Sequence, residues 1–155
     1  MNDKLVSEYI GKNAQEIIDG NVNWAAAVSG QLIGPVWFFY RKSYLLGFAF
    51  LVLTYIVGAI ASAINFEAAS LVMFFIYLFT ANKLYLWDVK RKLNKIMASG
   101  NMSEDQLLDT VREKGGTNTL AAVIYVIVII AYLVVNIIIL SSLILSVNNA
   151  IMGIQ

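Results

Sequence analysis

From Leu120 to Val147 the chain runs for 28 residues without one charged side chain. Wound as a helix, that run reaches about 42 Å, more than the roughly 30 Å hydrocarbon core of a bilayer. It is expected to cross a membrane, tilted or with its ends outside the hydrocarbon. Asn136 lies near its middle, one turn after Tyr132. An amide at that depth needs a partner, and such bonds contribute about 0.6–2 kcal/mol. Asn136 is therefore expected to bond to another helix, with a solute-facing amide as the second reading.

Two further stretches have the same character. Tyr44 to Ile64 is 21 residues without charge, with small residues at Gly58, Ala59, Ser62 and Ala63. Gly58 with Ser62, four apart, suits close helix packing. Asn65-Phe66-Glu67 is too short a link for anything but an antiparallel return. Ala68 to Trp87 is the return helix, rich in aromatic residues and carrying Asn82-Lys83. Lys83 lies about a turn from its end, so its stem can carry the ammonium to the interface. The alternative places Asn82 and Lys83 in a polar pocket.

Trp24 to Tyr40 is apolar for 17 residues but broken by Gly30, Gly34 and Pro35. Fully helical, it would reach about 25 Å, short of a full crossing, and Pro35 removes a helix hydrogen bond. Trp24, Trp37, Tyr40 and Tyr44 are residue types that favour the headgroup level. The segment is expected to be interfacial or re-entrant. Gly30 and Gly34 form a GxxxG, which permits close helix contact or bends a re-entrant chain.

The polar parts are short. Leu5, Val6, Tyr9, Ile10, Ala14, Ile17 and Ile18 recur at helical spacing, which predicts a short amphipathic helix on the membrane surface or against the cytoplasmic part of the protein, with a docking segment for a partner as the sharper reading. The first 20 residues lack the basic start and apolar run of a cleavable signal, so the spans themselves are expected to direct insertion. After Trp87, Lys90-Arg91-Lys92 and Lys95 continue the helix into water, and Gly100-Asn101 turns the chain. Ser103-Glu104-Asp105-Gln106 reads as a capping box opening a helix that Gly115-Gly116 stops. Glu104, Asp105 and Asp109 suit the positive end of that helix and make a poor metal site.

The whole chain is 59% hydrophobic and 14% charged, against about 25% charged in a soluble domain. It has no histidine and no cysteine. The commonest general base, the commonest metal ligand and all thiolate chemistry are thereby excluded. No catalytic residue, metal or cofactor is expected. Ser43 beside Lys42 is the nearest approach to a nucleophile and base, and adjacent residues do not make such a pair. A net charge of +1 gives no reason to expect a nucleic-acid partner.

Lys and Arg gather at Arg41-Lys42 and in residues 88–119, which hold six, and are missing around residues 65–67 and at the carboxyl end. By the positive-inside rule, residues 1–43 and 88–119 should be cytoplasmic and the tail extracytoplasmic. The expected architecture is an all-α integral membrane protein. It has three transmembrane helices, an interfacial or re-entrant aromatic segment and short cytoplasmic helices. In order these are an amphipathic segment (1–22), the aromatic segment (23–43), a membrane hairpin (44–87), a basic loop with a capped helix (88–119), the third span (120–147) and a tail (148–155).

Several of these blocks resemble a known family. Tyr9-Ile10-Gly11-Lys12-Asn13, Asn23-Trp24-Ala25-Ala26, Gly34 to Tyr44 and Ala81-Asn82-Lys83-Leu84-Tyr85-Leu86 with Val89-Lys90 are similar to the domain of unknown function 2628 family. So is the helix from Leu107 that ends in Lys114-Gly115-Gly116. The resemblance implies a bacterial inner-membrane protein and carries over no activity. Three functions are weighed on the residues themselves. The first is a non-enzymatic adaptor or accessory subunit of a membrane complex, with a homo-oligomer or membrane-protein partner. The second is an oligomeric conduit or transporter for an ion or small polar solute, using Thr54, Asn82, Lys83 and Asn136. The third is a protein that holds anionic phospholipids through Arg41, Lys42, Lys90, Arg91, Lys92 and Lys95, at about 1 kcal/mol per basic residue.

Overall fold

A computed structural model describes residues 3–98 and 102–152, without the side chains of 148, 150 and 151. The order is α1 (Asp3–Ile10), α2 (Ala14–Ile18), α3 (Trp24–Ile33), α4 (Val36–Tyr40), α5 (Tyr44–Ala63), α6 (Ala69–Ala98), α7 (Glu104–Lys114) and α8 (Thr119–Met152). The described residues contain no strand. Three helices, α5, α6 and α8, are long and apolar enough to cross a membrane, which is the architecture of a multi-pass membrane protein. The Gly100-Asn101 turn and the last three residues of the tail lie outside the described residues.

The aromatic segment is two helices, not one. Asn23 caps α3 by accepting from the Ala26 N–H at 2.8 Å, and α3 lies against α6. Gly34 ends it with φ +75°, a conformation that a β-carbon disfavours. Pro35 follows and lacks an N–H, so no helix hydrogen bond is lost where α4 begins. The redirected α4 packs on α5 and α8. Of the two glycines, Gly34 makes the bend and Gly30 makes the close contact. A β-carbon on residue 30 would come within 2.6 Å of the Tyr77 ring.

α6 organises the molecule. Its 30 residues span about 45 Å, so it serves two layers. The first half pairs with α5 as the hairpin. The second half, with buried Asp88, Val89, Leu93 and Ile96, carries α1, α2 and α7. One core runs through both layers, from Leu5, Ile10 and Val111 to Phe38, Phe50, Tyr77 and Tyr85. The amino-terminal helices therefore bury Leu5, Val6, Tyr9, Ile10 and Ile17 inside the protein, and of the two placements read from the sequence the packed one holds. The capping box of α7 is present in both directions, Gln106 N–H to Ser103 and Ser103 N–H to Gln106.

Two packing expectations need correction. Gly58 has open space around it and Ser62 is exposed. The contact face of α5 is the bulkier stripe of Leu46, Phe50, Leu53, Val57 and Ala61, whose spacing puts it on a different side of the helix. α8 is held mainly at its first turns, where Tyr125 packs with Val36 and Phe39, and last touches the bundle where the Tyr132 ring meets Tyr55 at 6.5 Å. Tyr125 stacks on Phe39 at 4.5 Å and donates to the Ile33 carbonyl at 3.1 Å. From Ile130 to Val147 every residue of α8 is exposed.

Candidate functional site

The chain from Tyr40 to Ser43, between α4 and α5, feeds two buried polar centres. Arg41 is the first. Its side chain is turned inward and is only 6% exposed. Nη1 donates to the carbonyls of Ile10 and Lys12, both at 3.2 Å, and Nη2 to Lys12 at 3.3 Å. The guanidinium lies 5.8–6.0 Å from the ring centroids of Trp37, Tyr40 and Tyr85. These contacts tie the turn after α1 to the start of α5. Arg41 was expected at the lipid interface, as was Trp37, which is 9% exposed. Both are internal because the Gly34-Pro35 bend turns α4 onto α5 and α8, which brings Arg41 to the Ile10 and Lys12 carbonyls and the Trp37 ring against Tyr85.

Asp88 is the second centre, and sequence reasoning missed it. It is 1% exposed. Its Oδ2 accepts from Ser43 Oγ at 2.7 Å and pairs with Lys92 Nζ at 2.6 Å, while Oδ1 meets Arg91 Nη2 at 3.3 Å. Lys92 also donates to the Lys42 carbonyl at 2.9 Å. Lys42 itself donates to the carbonyls of Gly115 and Glu113 at the end of α7, at 2.6 and 3.3 Å. Arg91 sits 5.2 Å from the Trp87 ring centroid. The available signal was the spacing of Asp88 to Arg91 and Lys92, three and four residues on along one helix face. Ser43 is fully buried, so its hydroxyl offers a substrate no approach. The cluster clasps the entrance of α5 to α6.

The six basic residues assigned to lipid thus divide. Arg41, Lys42, Arg91 and Lys92 are committed to protein groups, while Lys90 and Lys95 are exposed. Trp24 is 60% exposed and Tyr44 41%. Tyr44 accepts from Asn118 at the entrance of α8, at 2.9 Å. Asn82 does not join Lys83 in a pocket. It is buried, accepts from Asn23 Nδ2 at 2.6 Å and donates to the Asn21 carbonyl at 2.7 Å, whereas Lys83 points outward. Asn136 has no partner on another helix among the described residues. Its amide donates to the Tyr132 carbonyl of its own helix at 2.7 Å. The interhelical bond expected of it is therefore not made within this chain, because α8 has already left the bundle at that depth. Among the described residues no group of three or more Asp and Glu is placed to hold a metal ion.

Where α1–α2, α3, α4 and the start of α8 meet, they enclose an open cavity of about 670 Å³. Polar Lys12, Glu16, Asn23, Asn82 and Arg41 and apolar Trp24, Trp37, Val36 and Ala122 line it. On the far side, α1 and α7 are joined by Arg112 Nε to Glu8 Oε2 at 2.9 Å, which holds the Glu8 carboxyl below the usual range. Burial, with the Asp88 carboxylate and the Tyr85 hydroxyl nearby, pushes the Tyr9 hydroxyl far above its ordinary range.

No curated protein and no solved structure shows significant similarity to the chain. The family model described as a protein of unknown function, DUF2628, matches residues 5–91. That match takes in most of α1, all of α2 to α5 and most of α6, with Arg41, Ser43, Asp88 and Arg91 but not Lys92. It covers more than half of the sequence, and the chain belongs to the DUF2628 family.

Proposed function

We propose that this chain is a non-enzymatic adaptor or accessory subunit of a membrane complex. It would sit in a bacterial inner membrane with residues 1–43 and 88–119 on the cytoplasmic side and the carboxyl end outside. One observation carries the reading. α8 leaves the bundle after Tyr132, whose ring meets that of Tyr55 on α5 at 6.5 Å, and from Leu133 to Val147 every residue is exposed, Asn136 included. An asparagine amide has two donors and an acceptor, and only one donor is used, within its own helix. In hydrocarbon the remaining groups need partners, and a neighbouring membrane helix is the available source. The basic clusters beside α5 and α6 support the orientation.

The conduit reading draws less support from a single copy of the chain. Thr54 bonds to the Phe50 carbonyl and lies 3.4 Å from the Tyr77 hydroxyl, Asn82 is committed to Asn21 and Asn23, and Lys83 faces outward. These groups do not converge on a common path.

The test is isolation in native membrane particles, followed by mass determination and cross-linking from a cysteine placed at Asn136. A defined oligomer or stoichiometric partner, cross-linked from position 136, is the expected result. A partnerless monomer, with position 136 reacting only with lipid probes, would overturn the proposal.

A further inference from the structure

We infer that the cavity between α2, α3, α4 and the start of α8 is a binding site for a phosphate group carried on an amphiphile. The argument begins with Arg41. A guanidinium has five N–H donors, and three are taken by the carbonyls of Ile10 and Lys12. Nε is buried and makes no hydrogen bond of good geometry among the described residues, and the neutral Tyr85 hydroxyl beside the guanidinium brings no charge to balance it. No carboxylate of the described residues lies within ion-pair distance of Arg41. A buried cation without a counter-charge is costly, and carbonyls and aromatic faces offset only part of that cost. An anion in the adjoining cavity completes the balance.

The lining fits this class of ligand. Lys12 adds a second positive charge and Glu16 one negative, so the lining stays cationic overall. Trp24, Val36, Trp37 and Ala122 also line it and suit hydrocarbon attached to the anion. The position fits as well. Arg41 stands three residues before α5, and Thr117, also on the wall, two residues before α8. The cavity therefore opens where two helices long enough to span begin, at the depth of phospholipid headgroups. Arg favours phosphate because its planar fork matches the oxygens.

The experiment is native mass spectrometry of the full chain in nanodiscs containing equal phosphatidylglycerol and phosphatidylcholine, read as retained lipid after release. Retention of phosphatidylglycerol should exceed that of phosphatidylcholine about tenfold or more. Lys12→Glu should abolish most of the preference. Ala25→Trp, which fills the cavity from an exposed lining position, should abolish it too. Lys90→Glu, an equal change of charge on the exposed face of α6, should leave it intact. Added millimolar inorganic phosphate separates the sources: displacement of the lipid assigns the site to soluble phosphate-bearing ligands, and no displacement assigns it to the headgroup. Retention without preference and without phosphate binding, equal loss in Lys90→Glu, or full preference in Ala25→Trp would each overturn the inference.

Discussion

Gly30 on α3 lies against the ring of Tyr77 on α6, so that a β-carbon at residue 30 would stand 2.6 Å from Tyr77 Cδ2. Tyr77 is 1% exposed and lies 4.9 Å from Phe50 between ring centroids, so it cannot yield easily. Overpacking of this kind destabilises by about 1–3 kcal/mol. Gly30→Val should lower the melting temperature in detergent. Gly58→Val, where the space is open, should leave it nearly unchanged. Equal effects at the two positions would mean that α3 does not seat on α6 as described.

Asn82 fixes the start of α3 to the membrane hairpin. It bonds to Asn23 and to the Asn21 carbonyl, and the Asn23 N–H donates to the Leu78 carbonyl at 2.9 Å. Truncating one partner leaves the other buried and unsatisfied, at about 1–3 kcal/mol. Asn82→Ala and Asn23→Ala should each destabilise by that order, and the double variant by clearly less than the sum. Strict additivity in thermal or denaturant unfolding would count against the pair.

The Asp88 clasp separates residues that look alike in the sequence. Lys92 is 27% exposed on its side chain and Arg91 38%, so part of each attraction is screened. Asp88→Asn should still cost about 1–3 kcal/mol, because it loosens Ser43, Lys92 and, through Lys92, the Lys42 carbonyl. Lys92→Ala should follow it, and Lys90→Ala, on the exposed face, should stay within about 0.5 kcal/mol. Proteolysis in the 40–44 turn reports the same order.

How much of this was visible beforehand depends on the range of the physics. Membrane crossing is encoded in consecutive residues, so the uncharged runs from Tyr44 and from Leu120 mark α5 and α8 directly. The capping box at Ser103 and Gln106 is equally local. Arg41-Lys42 was misread for the opposite reason. A basic pair after an aromatic run has one appearance whether it faces headgroups or is carried inward, and only the bend at Gly34-Pro35 decides between them. Likewise Asp88 showed its spacing to Arg91 and Lys92 but not its burial, which depends on Ser43 lying 45 residues away in sequence. The small-residue face of α5 failed as a guide because small residues permit close packing without requiring it.

Acid should loosen α7 from α1. The Glu8 carboxyl is held below its ordinary value of about 4.5, first by the hydrogen bond from Arg112 and then by the Arg112 charge. A carboxyl whose folded value is depressed contributes stability above the unfolded value, and that contribution disappears as pH falls through the folded value. The window therefore lies below about pH 4.5. Hydrogen exchange in α7 should quicken there relative to exchange in α5, and Glu8→Gln should show the faster rate at pH 6 already. With no histidine in the chain, exchange protection between pH 6 and 8 should show no histidine step. A transition centred near pH 6.5 would contradict this account.

The orientation proposed for the chain can be tested without disturbing any hydrogen bond or ion pair described above, because the sequence has no native cysteine. Lys12, Glu67, Lys95 and Asn149 are all exposed, and they sample the cavity rim, the hairpin tip, the far end of α6 and the end of α8. Lys12 and Arg41 must share a side of the membrane, since the Lys12 carbonyl accepts from Arg41. Cysteines at 12 and 95 should then resist a membrane-impermeant reagent in intact cells, while those at 67 and 149 react. Reaction at 12 and 95 with protection at 67 would invert the whole molecule and place the cavity on the outer leaflet. Reaction at 12 alone, with 95 protected, is incompatible with the fold itself, because α1 and the second half of α6 share one core.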